Sequence, residues 1–300
     1  MNHLFFEPIT NNGFLRKIKV SYLRVRVMKK IVVCGACGEM GRRIIKTLNE
    51  KNGMETVTAT ENPEHKNIGK NIGELLNLDN LEIKLKPSDK LSEELSEKNP
   101  DVLIDFTIAK AAVENVKKSC KNGTPMIVGT TGFTEDQMKE MKNHIQKHEV
   151  PAIISPNMSL GVNTFFKIVE KVSEILKDYD MELVESHHNK KVDSPSGTAL
   201  KAAEIAAEAS EKEFEKVAKF GREKGEHGER PKDEIGIHSV RAGNITGEHN
   251  FIFAGPNESL EINHKANSKQ AFVDGVIKAI DFILEEGKPG KIQNMRDVLF

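Results

Sequence analysis

Between Glu182 and Ala199 the sequence reads Glu-Leu-Val-Glu-Ser-His-His-Asn-Lys-Lys-Val-Asp-Ser-Pro-Ser-Gly-Thr-Ala, which sets proton donors, cations and an anion-binding turn at one strand-to-helix junction. The imidazoles of His187 and His188 titrate near neutral pH. Lys191, four residues after His187, can hold a fixed positive charge or surrender a proton. Ser-Gly-Thr runs into Ala199, Leu200, Ala202 and Ala203, so Ser196 reads as a helix N-cap and Gly197 and Thr198 as the first turn. Free N–H groups there favour a carboxylate or phosphate. The plainer reading is a strand ending in one buried and one solvated histidine beside surface lysines, but the coincidence of the pair, the lysine and the turn argues for a site. Zinc is disfavoured, because adjacent strand residues point to opposite faces and no third ligand stands at a suitable spacing.

A second constellation, Gly35-Ala36-Cys37-Gly38-Glu39-Met40-Gly41, joins a short apolar run to a helical pattern, where glycines let backbone N–H groups approach a pyrophosphate. The spacing is GxxGxxG. Its support is Glu61, at the end of the second apolar run and about 20 residues beyond Gly41, where a carboxylate can accept both ribose hydroxyls. A glycine turn that merely packs helix on strand is the alternative. NADH is favoured with NADPH tolerated, because Asn62 stands where an arginine would grip a 2′-phosphate while His65, Lys66 and Lys70 lie close by. Gly129-Thr130-Thr131 and Pro156-Asn157-Met158-Ser159 follow later apolar runs and should also face the cofactor. Cys34 and Cys37 form a CxxC, read as incidental small residues in a tight turn rather than a redox pair.

The elements that must carry these groups follow from periodicity. Apolar runs at 31–34, 56–60, 102–106, 126–128 and 151–155 alternate with helical patterns at 40–51 and 111–121, and Thr134 with Gln137 makes a capping box for another helix. That predicts an α/β chain with a Rossmann-type doubly wound parallel sheet over 28–156. A second α+β domain, for substrate and oligomerisation, is expected over 157–267, with a helix at 165–176 and strands at 181–186, 235–240, 250–254 and 260–262. The final stretch, 268–300, is expected to return as a helix to the first domain. Residues 207–230 read as a helix end followed by a long surface loop. Residues 1–27 lack any period and read as an N-terminal extension, disordered or untranslated, with Met28 the start.

Lys+Arg 44 against Asp+Glu 45, with two Tyr and no Trp, makes nucleic acid an unexpected partner. No apolar run reaches the roughly 20 residues of a membrane span. Three cysteines do not suit a secreted disulfide framework, so a cytoplasmic protein is expected.

Taken in order, the glycine loop, Gly-Thr-Thr-Gly, Ser155-Pro-Asn-Met-Ser-Leu-Gly-Val-Asn163, the His-His run, Val240-Arg-Ala-Gly-Asn-Ile-Thr-Gly-Glu-His249 and Ile262-Asn-His-Lys-Ala-Asn-Ser268 resemble the 4-hydroxy-tetrahydrodipicolinate reductase (dihydrodipicolinate reductase) family from about Lys29 onward. The resemblance implies NAD(P)H-dependent reduction of a cyclic dicarboxylate to tetrahydrodipicolinate, on the diaminopimelate route to lysine, by a homotetramer. It implies His187 as proton donor, Lys191 as cationic partner or alternative acid, and His188, Gly197 and Thr198 as substrate binders. Gly35, Ala36, Cys37, Gly38, Glu39, Met40, Glu61, Gly129, Thr130, Thr131, Pro156, Asn157, Met158 and Ser159 match cofactor contacts. Glu39, Asn62 and Ile108 stand where the family often has basic residues. Two rival readings are another nucleotide-linked dehydrogenase of a small carboxylate and a non-catalytic NAD(P) sensor. A sensor has no need of a proton donor opposite a dicarboxylate clamp.

Overall fold

A computed structural model describes residues 28–300; the extension read over 1–27 lies outside the described residues. The chain runs β1 (Lys29–Cys34), α1 (Glu39–Glu50), β2 (Met54–Glu61), α2 (Ile72–Leu76), β3 (Lys86–Pro87), a 3-10 turn at Ser88–Lys90, α3 (Leu91–Lys98), β4 (Val102–Asp105), α4 (Ala109–Asn122), β5 (Met126–Val128), α5 (Glu135–Lys147) and β6 (Ala152–Ile154). It continues with α6 (Leu160–Ile175), β7 (Asp180–His187), α7 (Gly197–Ala209), α8 (Phe214–Val217), β8 (Ala218–Phe220), β9 (Ile235–Arg241), β10 (Glu248–Ala254) and β11 (Ser259–Lys265). The last elements are α9 (Gln270–Glu286), β12 (Ile292–Gln293) and α10 (Met295–Leu299).

Ile31 to Cys34, Val102 to Ile104 and Met126 to Val128 are all fully buried, as strands covered by helices on both faces must be. They form a seven-stranded parallel sheet in the order β12-β6-β5-β4-β1-β2-β3. From β1 the order runs one way to β2 and the other way to β4, so the crevice of a doubly wound sheet opens at the carboxyl ends of β1 and β4. Thr134 does cap α5 in a reciprocal box with Gln137.

The second sheet is five-stranded, in the order β11-β10-β7-β9-β8, with β7 antiparallel to β10 and parallel to β9. Its helix-side face packs Met181, Leu183, Ile235, Ile237, Phe251 and Phe253 against α6 and α7. The stretch read as one long loop is shorter than expected: α7 runs to Ala209, and 214–220 holds α8 and β8, leaving irregular backbone mainly from 221 to 234. Because β7 and β9 are parallel, the chain needs a crossover there, and β8 adds an edge strand on the way.

α9 packs in the first domain's core, burying Val273, Val276, Ile277, Ile280 and Ile283 with Ile31, Ile45 and Ile153. Each such side chain contributes about 1.5–3 kcal/mol relative to exposure. Among the described residues no helix is long and apolar enough to cross a membrane.

Candidate active site

The glycine loop has the geometry of a dinucleotide cradle. Gly35 holds φ +79°, and a Cβ there would lie 2.4 Å from the Phe106 carbonyl oxygen. A Cβ on Gly41 would lie 2.2 Å from the Gly35 carbonyl, so that glycine lets α1 close onto the turn. Gly38 is the N-cap of α1 and offers no side chain to its free N–H groups, which leaves them for an anion. Glu61, at the end of β2, accepts from the Cys37 N–H at 2.9 Å and the Asn62 N–H at 3.0 Å. A crevice of about 690 Å³ opens beside it, lined by Gly35, Gly38, Asn62, Thr107, Ile108 and Lys118 among others. Ile108 is 70 % exposed in this crevice, a flat apolar surface suited to a purine. These residues fit a nicotinamide dinucleotide.

Several other side chains in these segments are turned into the core. Ala36 is fully buried, Met40 packs on the core, and the Met158 side chain is 2 % exposed while its carbonyl faces Gly275. Glu39 is exposed and ion-paired to Lys269 at 2.5 Å. The Cys34 thiol is pushed up by burial and Cys37 likewise, and all three cysteines are unpaired.

Asp105, which the sequence reading passed over, ties the β4 and β5 loops together. Its Oδ1 accepts from Thr107 Oγ1 at 2.8 Å and Thr130 Oγ1 at 2.7 Å, and its Oδ2 from Asn115 at 2.8 Å. Burial raises its pKa, with these hydrogen bonds opposing. The Thr130 hydroxyl is thereby committed to structure. Thr131 is exposed, and Gly129 packs so closely on Phe106 that a Cβ would come within 2.2 Å of the ring.

Three strand spacings, roughly 14 Å, separate the β1 turn from the loop after β6. In that loop Pro156 is exposed, and Ser159 caps α6 by accepting from the Val162 N–H. Asn157 accepts from the Ser159 N–H through Oδ1, and its Nδ2 donates to Thr198 Oγ1 at 3.3 Å. That last bond joins the cofactor side of the molecule to the first turn of α7.

On β7 the period of two puts Met181, Leu183, Glu185 and His187 on the buried face. His187, 9 % exposed, has its Nδ1 2.6 Å from Glu185 Oε2, and its ring meets that of His249 edge-on at 5.3 Å. Arg241, opposite His187 on β9, donates to both Glu185 oxygens, at 2.9 and 2.8 Å, and to the Asp193 carbonyl. Glu185 Oε1 also accepts from the Ser196 N–H, and Ser196 Oγ caps α7 by accepting from the Ala199 N–H. Lys191 is ion-paired with Asp193 at 2.7 Å. His188 is half-buried, with its Nδ1 buried and unbonded. Gly197 is exposed at the helix start and Thr198 half-buried behind it.

The electrostatics modify the expectation of a near-neutral titration for His187. Burial would raise the Glu185 pKa, but Arg241, Ser239, His187 and the Ser196 N–H outweigh it and hold the carboxyl at about 2. Burial lowers the His187 pKa; Glu185 opposes that, and Lys191 and Arg241 reinforce it. His249 is pushed down to about 3 by burial and by the neighbouring His187 and His264. At neutral pH the free site therefore holds the neutral rings of His187 and His249 beside an ionised Glu185. Glu185 and Arg241 went unassigned in the sequence reading. The Glu-x-His spacing on a strand, which places both on one face, was the signal available for Glu185.

Comparison with known proteins converges on one family. Residues 29–158 match the model of the dihydrodipicolinate reductase N-terminus and residues 161–299 that of its C-terminus. A 4-hydroxy-tetrahydrodipicolinate reductase of Methanocaldococcus jannaschii is 48% identical over 272 residues, covering 91% of this chain and 97% of that protein. Its counterpart in Methanothermobacter thermautotrophicus is 46% identical over 272 residues, covering 91% and 99%. Among solved structures, the dipicolinate-bound dihydrodipicolinate reductase from Paenisporosarcina sp. TG-14 superposes with a TM-score of 0.72 at 25% identity, over 91% of this chain and 100% of that one.

Proposed function

The chain belongs to the dihydrodipicolinate reductase family, and we propose that it reduces 4-hydroxy-tetrahydrodipicolinate to tetrahydrodipicolinate with a nicotinamide cofactor, a step of lysine biosynthesis through diaminopimelate. The observation that carries this reading is the Asn157–Thr198 hydrogen bond, which sets the crevice loop of the parallel sheet against the anion-binding turn of α7. A hydride donor on one side and a dicarboxylate clamp on the other are the two things the reaction needs in one place.

When bound, the reduced nicotinamide supplies the hydride. The chain's own residues hold the substrate and deliver a proton. The free N–H groups of Gly197 and Thr198, the Thr198 hydroxyl and the unbonded nitrogen of His188 take the carboxylates. Lys191 draws electron density through the ring. With the 4-hydroxyl lost as water, hydride adds to the dehydrated ring, and His187 gives its Nε2 proton to the electron-rich ring that results and recovers one from solvent. To donate, the imidazole, whose pKa burial lowers in the free site, must be charged when substrate is present. A doubly anionic ligand supplies that condition by raising the imidazole's proton affinity.

NADH is the preferred cofactor in this reading and NADPH is tolerated. Glu61 sits where a 2′-phosphate would come and Asn62 replaces a cation, whereas Lys118 lines the crevice but donates to the Ser88 carbonyl. The assembly is a homotetramer formed through the open face of the second sheet, where Val184, Val240 and Ile252 have no helical cover. Three unpaired cysteines support a cytoplasmic setting. The test couples the purified protein to a dihydrodipicolinate synthase and follows NADH and NADPH oxidation separately. Synthase-dependent oxidation, with the higher kcat/KM for NADH, is expected; oxidation of neither cofactor overturns the assignment.

A further inference from the structure

We propose that Glu185 is the positioning residue of this site: locked against Arg241, it fixes the tautomer and direction of His187 with one oxygen and the anion-binding turn of α7 with the other. The inference rests on His187 being the proton donor.

Glu185 is fully buried, and a buried charge persists only when paired and hydrogen-bonded. Both conditions hold, through the Arg241 fork on its two oxygens and the Ser196 N–H at 3.1 Å. An ionised carboxylate only accepts, so the 2.6 Å contact requires the hydrogen on His187 Nδ1 in the neutral and charged ring alike. Nε2 is then the atom left for substrate. It faces Gly247, where a Cβ would lie 3.0 Å away, so the glycine keeps that side of the ring clear. Oε1 meanwhile anchors Ser196, the residue that caps α7 and sets Gly197 and Thr198. One side chain thus fixes the distance between proton donor and carboxylate clamp.

Stability gives no sufficient reason for the arrangement, because an apolar replacement of a buried ion pair is often neutral or better. The charges facing His187 are Glu185, Arg241, Lys191 with its partner Asp193, and His249 backed by His264. Of these, Glu185 is the anion in direct contact and favours the protonated ring. Losing its charge makes the donor harder to protonate.

The test compares wild type, Glu185→Gln, Glu185→Asp and His187→Gln over a range of pH. In Glu185→Gln, kcat is expected to fall by roughly 10²-fold. The alkaline limb of the kcat profile should move down by about one unit or more, while the NADH Kd stays unchanged. Glu185→Asp, which keeps the charge, should recover part of the rate and the wild-type limb. An unmoved limb with kcat within about threefold of wild type overturns the inference while leaving the functional reading intact. If wild type itself lacks turnover, that reading fails instead. The nitrogen-15 NMR spectrum of the wild-type imidazoles then decides for Glu185 alone, the His187 signal being assigned by its loss in His187→Gln. A neutral ring protonated at Nδ1 is expected, and one protonated at Nε2 overturns the inference. The same spectrum stands in if Glu185→Gln does not fold.

Discussion

At the scale of residues, the site sets a neutral, buried His187 near the free N–H groups that open α7, and the proposed binding of two negative charges there is thermodynamically linked to the ring's protonation. If a dianionic ligand raises the imidazole's proton affinity, binding must take up a proton. Under the proposed function, binding of dipicolinate, the molecule bound in the Paenisporosarcina relative, should draw a substantial fraction of a proton onto His187 at pH 7.5. Calorimetry in buffers of different ionisation heat reads this directly; zero uptake contradicts the proposed charge state of His187. His249 leads to a stability prediction. Its folded pKa of about 3 lies below the unfolded value of about 6.5. Its contribution is therefore complete above pH 6.5 and is lost as pH falls toward 3. His249→Phe, placed beside Phe165, should flatten the decline in melting temperature between pH 6.5 and 4.5, a window above most carboxylate titrations. A decline as steep as wild type's would show that His249 is not the buried neutral ring described.

Elements matter here through close approaches that leave no room for a side chain. A Cβ on Gly275 would lie 1.7 Å from the Met158 carbonyl, where α9 braces the loop that presents Asn157 and Ser159. Gly275→Ala should destabilise the protein by about 1–3 kcal/mol and raise KM for NADH more than it lowers kcat, readable in a thermal melt and steady-state kinetics. The sequence made the β1 turn, α1, the capped α5 and the β7–α7 junction legible, because each combines a period with a capping or glycine signal. It indicated no helix or strand between residues 62 and 101, where the five-residue α2 and two-residue β3 are too short to show a period. It also missed β8, an exposed three-residue edge strand held by pairing to β9. Arg241 escaped for a different reason: its meaning lies in register, and only the parallel pairing of β7 with β9 sets it opposite His187.

For the whole molecule, the second sheet is covered by α6 and α7 on one face, while the other carries Glu182, Val184, His238, Val240, Asn250 and Ile252 in a mixed apolar and polar surface. Arg222 and Arg230 both bond to Glu182 there and tie down part of the 221–234 loop. Val240 is 42 % exposed, and a buried Asn250 Oδ1 has no bond, as suits a face that meets another copy. If the proposed tetramer forms through this face, Ile252→Glu should yield smaller species in light scattering; an unchanged mass would place the interface elsewhere. None of this was readable from periodicity, since one strand pattern serves a solvated face and a packed one alike. The claim on which the account turns is that the His187 site completes a reaction begun in the glycine crevice. Its most direct test is the double variant His187→Gln with Lys191→Ala, assayed for NADH affinity by fluorescence and for turnover in the coupled reaction. The account predicts NADH binding within about twofold of wild type and turnover reduced by at least 10³-fold; near-normal turnover would contradict it.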